Sequence, residues 1–144
     1  MQNFPHHYVV TADGAVTGRV LVSSPNLPAW TTDAPAEFDG PGDVWSPETM
    51  LVGAVANCFI LTFRAIARAS KFEWINLSCQ VVGVLERVER VTQFTTVELT
   101  VKLQVLAGTD VEKAERLLEK AEQNCLITNS LKAKVELRAE VTLG

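Results

Sequence analysis

Histidine is nearly missing from this chain: among 144 residues only two occur, His6 and His7, side by side near the start. With no Cys-x-x-Cys spacing either, the chain offers no usual set of zinc ligands, and no metal or other cofactor is expected. Cysteine is scarce too. Cys58, Cys79 and Cys125 make an odd count that builds no disulfide framework for a small secreted scaffold. Basic residues are thin at the front, where Arg19 is the single Lys or Arg among the first 63 positions, and net charge is −4. A chain so charged lacks a patch able to neutralise several phosphates, so nucleic acid is not an expected partner. Long apolar runs are also lacking. The longest, Met50 to Phe63, is interrupted by Asn57 and Thr62 and falls short of the roughly 20 residues that cross a bilayer. It reads as a core helix, with no membrane partner. Met1 to Tyr8 has no basic start followed by an apolar stretch, so a cytoplasmic location is expected.

What is present is a folding composition: 47% of residues are hydrophobic and 21% charged, as in a soluble globular domain. The length suits one domain, residues 1–144. Tyr8 to Ala12 and Val16 to Ser23 flank Asp13-Gly14, which predicts an opening hairpin with Val16, Val20 and Val22 on one face. Residues 24–47 hold five of the six prolines and four carboxylates (Asp33, Glu37, Asp39, Asp43), a long loop with room for no more than a short edge strand. Ser46-Pro47-Glu48 starts a helix, with Ser as cap, Pro at the first position and a carboxylate against the dipole. That helix should run to about Ala69, and its apolar residues point nearly all round the axis from Met50 to Ala67, so protein must surround it.

Two strands follow. Leu77, Cys79, Val81 and Leu85 alternate with a phase slip near Glu86-Arg87-Val88 that predicts a bulge; Val97 through Val105 alternate cleanly as a half-buried antiparallel strand. Thr109-Asp110-Val111-Glu112 reads as a capping box before an amphipathic helix bearing Val111, Ala114, Leu118, Ala121 and Cys125 on one face. After a break at Thr128-Asn129-Ser130, residues 133–143 alternate as a last strand. The fold class is therefore α+β, an antiparallel sheet with a long buried central helix and a second amphipathic helix. One sheet face cannot cover a helix that is apolar on every side, which predicts a homodimer.

Cys58 lies in the middle of the buried helix. A thiol among apolar groups is inert unless a cation stabilises its thiolate. Arg64 and Arg68 lie about 9 and 15 Å further along the axis, which leaves Arg19 as the better candidate. Glu48, about 15 Å from Cys58 along the helix, is placed to orient Arg19 through a carboxylate–guanidinium pair. Cys79 keeps step with Leu77 and Val81 and reads as structural.

The segment Ser46-Pro47-Glu48 through Ala54-Val55-Ala56-Asn57-Cys58-Phe59 resembles the Pro-Glu…Ala-x-x-x-Cys helix of the OsmC/Ohr family. Cys125-Leu-Ile-Thr-Asn-Ser-Leu resembles its second cysteine segment, Thr17-Gly18-Arg19 its arginine segment, and the order of elements matches throughout. The resemblance implies an OsmC-like intertwined homodimer with the active site at the subunit interface. It further implies a cysteine-based hydroperoxide reductase in which Cys58 is the peroxidatic thiolate, Cys125 the resolving thiol, and Arg19 with Glu48 the activating pair. The substrate would be a small organic hydroperoxide and the electron source a dithiol reductant, with the Ohr branch pointing to lipoylated protein. Two departures stand out: Arg19 is followed by Val20 rather than Asp-Gly, and Cys125 by Leu126 rather than Pro, which places the chain among the broader OsmC-like proteins. Two rival readings keep the fold but change the function. One is a non-catalytic binder of apolar ligands; the other is a hot-dog-type acyl thioesterase with Glu48 as base.

Overall fold

In the computed structural model, which describes residues 1–144, the chain forms two compact units, Met1–Met50 and Leu51–Gly144. The N-terminal unit holds a three-stranded antiparallel sheet in the order β1 (Thr11–Asp13), β2 (Val20–Ser23), β3 (Trp30–Thr32). Thr11 faces Ser23 and Val20 faces Thr32, so β2 is central. The expected hairpin forms with shorter strands. Asp13 pairs with Leu21, so the connection is a wide loop rather than a two-residue turn at Asp13-Gly14. Gly18 carries it at φ 95°, and Val16 is fully exposed in the loop instead of sharing the face of Val20 and Val22. The proline-rich stretch contains β3 and a 3₁₀ turn at Ala36–Phe38, where Asp39 adopts a left-handed conformation.

Helix α1 spans Pro47–Ala69, as the cap signal predicts. The Thr49 amide donates to Ser46 Oγ at 3.2 Å, and the Ser46 amide donates to Thr49 Oγ1 at 2.8 Å, a reciprocal cap in which Thr replaces the usual Glu. The helix stops where Lys71 turns left-handed (φ 51°) and the Phe72 amide reaches back to the Ala67 carbonyl at 2.8 Å.

In the C-terminal unit β4 (Asn76–Val88), β5 (Val91–Val105) and β6 (Lys134–Leu143) form a second sheet in that order. β4 and β5 are antiparallel and joined by Glu89-Arg90, both at positive φ, the backbone of a tight hairpin turn. The predicted bulge exists, but it falls between Val84 and Leu85, and the extra residue is Thr95 on β5. β6 runs parallel to β5, correcting the expectation of a wholly antiparallel sheet. The intervening helix α2 (Val111–Gln123) carries the chain back to the starting edge, so the next strand enters in the same direction.

One face of this sheet forms the core. Val97, Leu99, Val101, Leu103 and Val105 are buried on β5 while Glu98, Thr100, Lys102 and Gln104 are exposed. Onto that face pack Val55, Phe59, Phe63 and Ala67 of α1 and Ala114, Leu117, Leu118 and Ala121 of α2, with Trp74 edge-on to Phe63 at 5.4 Å between centroids. Burial stabilises each large side chain by roughly 1.5–3 kcal/mol. Gly83 is required for close packing, because a Cβ there would lie 2.7 Å from Val52 Cγ2 and 3.0 Å from Phe94 Cε1. Only a single stripe of α1 is buried; Leu61 remains 56% exposed. By length and composition α1 is apolar enough to cross a membrane, but its packed stripe belongs to the core of this unit.

A thiol pair at the junction of three helices

The cap expected at Thr109 is made instead by Asp110, whose Oδ1 accepts the Lys113 amide at 3.2 Å. α2 then ends at Gln123, short of Cys125, which becomes the residue preceding a brief helix, α3 (Leu126–Asn129). A break was expected near Thr128 to Ser130. The sequence signal was too short for helical periodicity, and α3 is held by local bonds: the Asn129 amide to the Cys125 carbonyl at 3.0 Å and Thr128 Oγ1 to the same carbonyl at 3.1 Å.

This turn brings Cys125 and the first amides of α3 against Cys58. Phe59 and Phe63 anchor the neighbouring stripe of α1 in the core, which fixes the helix rotation and sets Cys58 toward α3. Cys58 is half-buried, Cys125 buried, and all three cysteines are free thiols. Burial alone pushes the Cys58 thiol up. The Ile127 amide, the Cys125 thiol, the Thr62 hydroxyl and the Leu126 amide oppose it, and together they hold Cys58 below the ordinary thiol value. Burial dominates at Cys125, outweighing the help of Thr128, and the neighbouring Cys58 adds to the rise. Burial, with the charge of Cys125 second, pushes Cys79 up to about 11. The two shifts run in opposite directions, so Cys58 gives up its proton more readily than Cys125.

The groups that lower the Cys58 pKa here are backbone and side-chain donors, none of them charged. Leu126, Ile127 and Thr62 escaped sequence reasoning for different reasons. The first two act through their amides, which carry no side-chain signal, and Thr62 reads only as a polar interruption in an apolar helix.

The N-terminal unit holds the other two candidates. Arg19 Nη2 donates to Asp43 Oδ2 at 2.8 Å, both side chains being substantially exposed. The expected pair between Arg19 and Glu48 is therefore not formed; the wide loop after β1 delivers the guanidinium to Asp43, next to Gly42 at φ 72°. Glu48 Oε2 is buried with no hydrogen-bond partner. It borders a cavity of about 340 Å³ walled by Val20, Val22, Thr32, Phe38 and Met50. No group of three or more His, Cys, Asp or Glu side chains is arranged to hold a metal.

Residues 40–140 match the family described as OsmC-like protein. This chain belongs to the OsmC-like family. The protein is 30% identical over 145 residues to the uncharacterised protein YmaD of Bacillus subtilis (strain 168), covering 96% of this chain and 95% of that one. In fold it is similar to an OsmC-like protein of unknown function from Vibrio cholerae, with a TM-score of 0.85 at 17% identity over 94% of this chain and all of the other. An organic hydroperoxide resistance protein from Elizabethkingia anophelis is similar over 99% of this OsmC-like chain and 100% of its own, with a TM-score of 0.77 at 20% identity. The family thus includes hydroperoxide-resistance proteins, and the α+β architecture of two sheets and three helices is its fold.

Proposed function

We propose that this OsmC-like protein is a thiol peroxidase that reduces organic hydroperoxides through Cys58 and Cys125. The observation that carries the proposal is the placement of buried Cys125, at the start of α3, beside half-buried Cys58 of α1, with the Cys58 thiol lowered and the Cys125 thiol raised. The Cys58 thiolate attacks the outer oxygen of ROOH. The O–O bond breaks, RO⁻ leaves and takes a proton to become ROH, and the sulfur is oxidised to a sulfenic acid. Cys125 attacks that sulfur, its proton leaves with the hydroxyl as water, and a Cys58–Cys125 disulfide remains. A dithiol reductant, with lipoylated protein the expected carrier, opens it by two exchanges and restores both thiols. The half-buried, largely apolar setting of Cys58 favours an alkyl peroxide over hydrogen peroxide.

In this reading residues 1–144 act as one OsmC-like domain in the cytoplasm, where free thiols stay reduced. A second copy covers the outer face of α1, whose 23 residues bury only Val55, Phe59, Phe63 and Ala67, and completes the site at the interface. Arg19 and Glu48 serve as the activating pair. Their assignment is supported by the partnerless buried oxygen of Glu48 and by the exposed setting of the Arg19–Asp43 bridge, a class of pair worth about 0–1 kcal/mol and so readily exchanged.

The test is stoichiometric: the reduced protein is mixed with tert-butyl hydroperoxide, and peroxide loss is followed alongside intact mass. One peroxide consumed per chain, with loss of two hydrogens mapped to Cys58 and Cys125, is expected. If Cys58→Ser consumes peroxide as fast as the parent, the mechanism is wrong; acyl-CoA hydrolysis surviving removal of both thiols would select a thioesterase instead.

A further inference from the structure

Thr62 lies one turn after Cys58 on α1, and the two side chains share a face of the helix. Its Oγ1 is 3.7 Å from Cys58 Sγ. A threonine hydroxyl inside a helix commonly returns to the carbonyl four residues back, which here would be that of Cys58 itself. The partner of this hydroxyl is the sulfur instead. Once Cys58 has lost its proton, only the hydroxyl can donate between the two, so the direction of the bond is fixed in the reactive state.

We infer that the Thr62 hydroxyl is a built-in donor to the Cys58 thiolate, serving both to keep the sulfur ionised and to hold its rotamer toward the Cys125 side. The inference rests on the peroxidase reading for its purpose but not for its geometry. Three features support it. Phe59 and Phe63, which follow Cys58 and Thr62 respectively, are fully buried, so the core fixes the rotation of α1 that keeps Cys58 turned to α3. The hydroxyl belongs to the same element as the thiol, so no loop motion has to deliver it. Among the groups that lower the Cys58 pKa, Thr62 is the one that acts through a side-chain hydroxyl, and so the one that substitution removes without touching a backbone or a second cysteine. The titratable group facing Cys58 from the neighbouring elements is Cys125, which in turn faces Cys79 on β4; on α1 itself Arg64 follows six positions later and is exposed.

The test needs no peroxide. Site-resolved alkylation by iodoacetamide, followed across pH by peptide mass, reads the ionisation of Cys58 in the parent, Thr62→Val and Thr62→Ser. Thr62→Val keeps the branched shape and deletes the donor, so its Cys58 profile should move to higher pH, with alkylation near neutrality roughly three- to tenfold slower. Thr62→Ser keeps the donor and should follow the parent. A parent-like profile in Thr62→Val overturns the inference, as does a Thr62→Ser profile displaced as far as that of Thr62→Val, which would trace the effect to packing. Circular dichroism of both variants checks that α1 persists. The outcome is separable from the enzymatic reading: a parent that leaves tert-butyl hydroperoxide untouched, with a displaced Thr62→Val profile, sinks the peroxidase and keeps the donor.

Discussion

Leu126→Pro is a substitution that alters a backbone donor and almost nothing else. Leu126 is the first residue of α3, a position whose amide has no partner within its helix, and here that amide is turned to Cys58. Proline suits the first helical position because its fixed φ is already helical. The preceding residue, Cys125, is extended at φ −69° and ψ 109°, as a residue before proline must be. The Leu126 side chain is 65% exposed, so its loss costs the core little. What the variant loses is one donor to the sulfur. A net hydrogen bond is worth about 0.5–1.5 kcal/mol, and Leu126 contributes least among the donors to Cys58, so the lower half of that range applies. At 1.36 kcal/mol per tenfold, the thiolate population at neutral pH should fall roughly two- to fivefold. Site-resolved alkylation of Cys58 should slow by that factor, while urea unfolding shifts by less than about 0.5 kcal/mol. A Cys58 profile that stays put or moves to lower pH would refute the claim that α3 amides activate this sulfur.

Other outcomes follow from neighbouring features. Burial holds Cys79 near 11 against 9.0 for a free thiol; a raised pKa means the folded state keeps the proton longer, so its contribution is intact below pH 9 and lost as pH climbs toward 11. After discounting for partial exposure of the thiol, roughly 1 kcal/mol of urea stability should vanish across that window, and Cys79→Ala should flatten the slope relative to the parent. Gly83→Ala forces a Cβ into Val52 and Phe94 and should destabilise by about 1–3 kcal/mol in denaturant titration. Arg90→Gly relieves a left-handed residue at φ 70° in the β4–β5 turn and should raise stability by up to about 1 kcal/mol, read as a higher urea midpoint.

Much of this protein was legible in one dimension because its signals are local and periodic. Ser46-Pro47 set the start of α1, the two-residue alternation from Val97 to Val105 set the buried face of β5, and the spacing of Cys58 and Cys125 within a familiar order of elements marked the two thiols. What depended on distance in space was not legible. Alternation says which residues of β6 face inward but not which way the strand runs, and the parallel pairing with β5 follows from where α2 leaves the chain. The pairing of Arg19 with Asp43 within the chain likewise depends on where the loop carrying Gly18 delivers the guanidinium.

The sequence by itself determined the elements, the family and the two sulfurs, since periodicity, capping and residue type are properties of neighbours along the chain. Only the tertiary structure decided which donors face Cys58 within the chain. The amides of α3 exist in every residue and become donors to a sulfur only when a four-residue helix aims them at it, and the Thr62 hydroxyl counts only because two buried phenylalanines fix the rotation of α1.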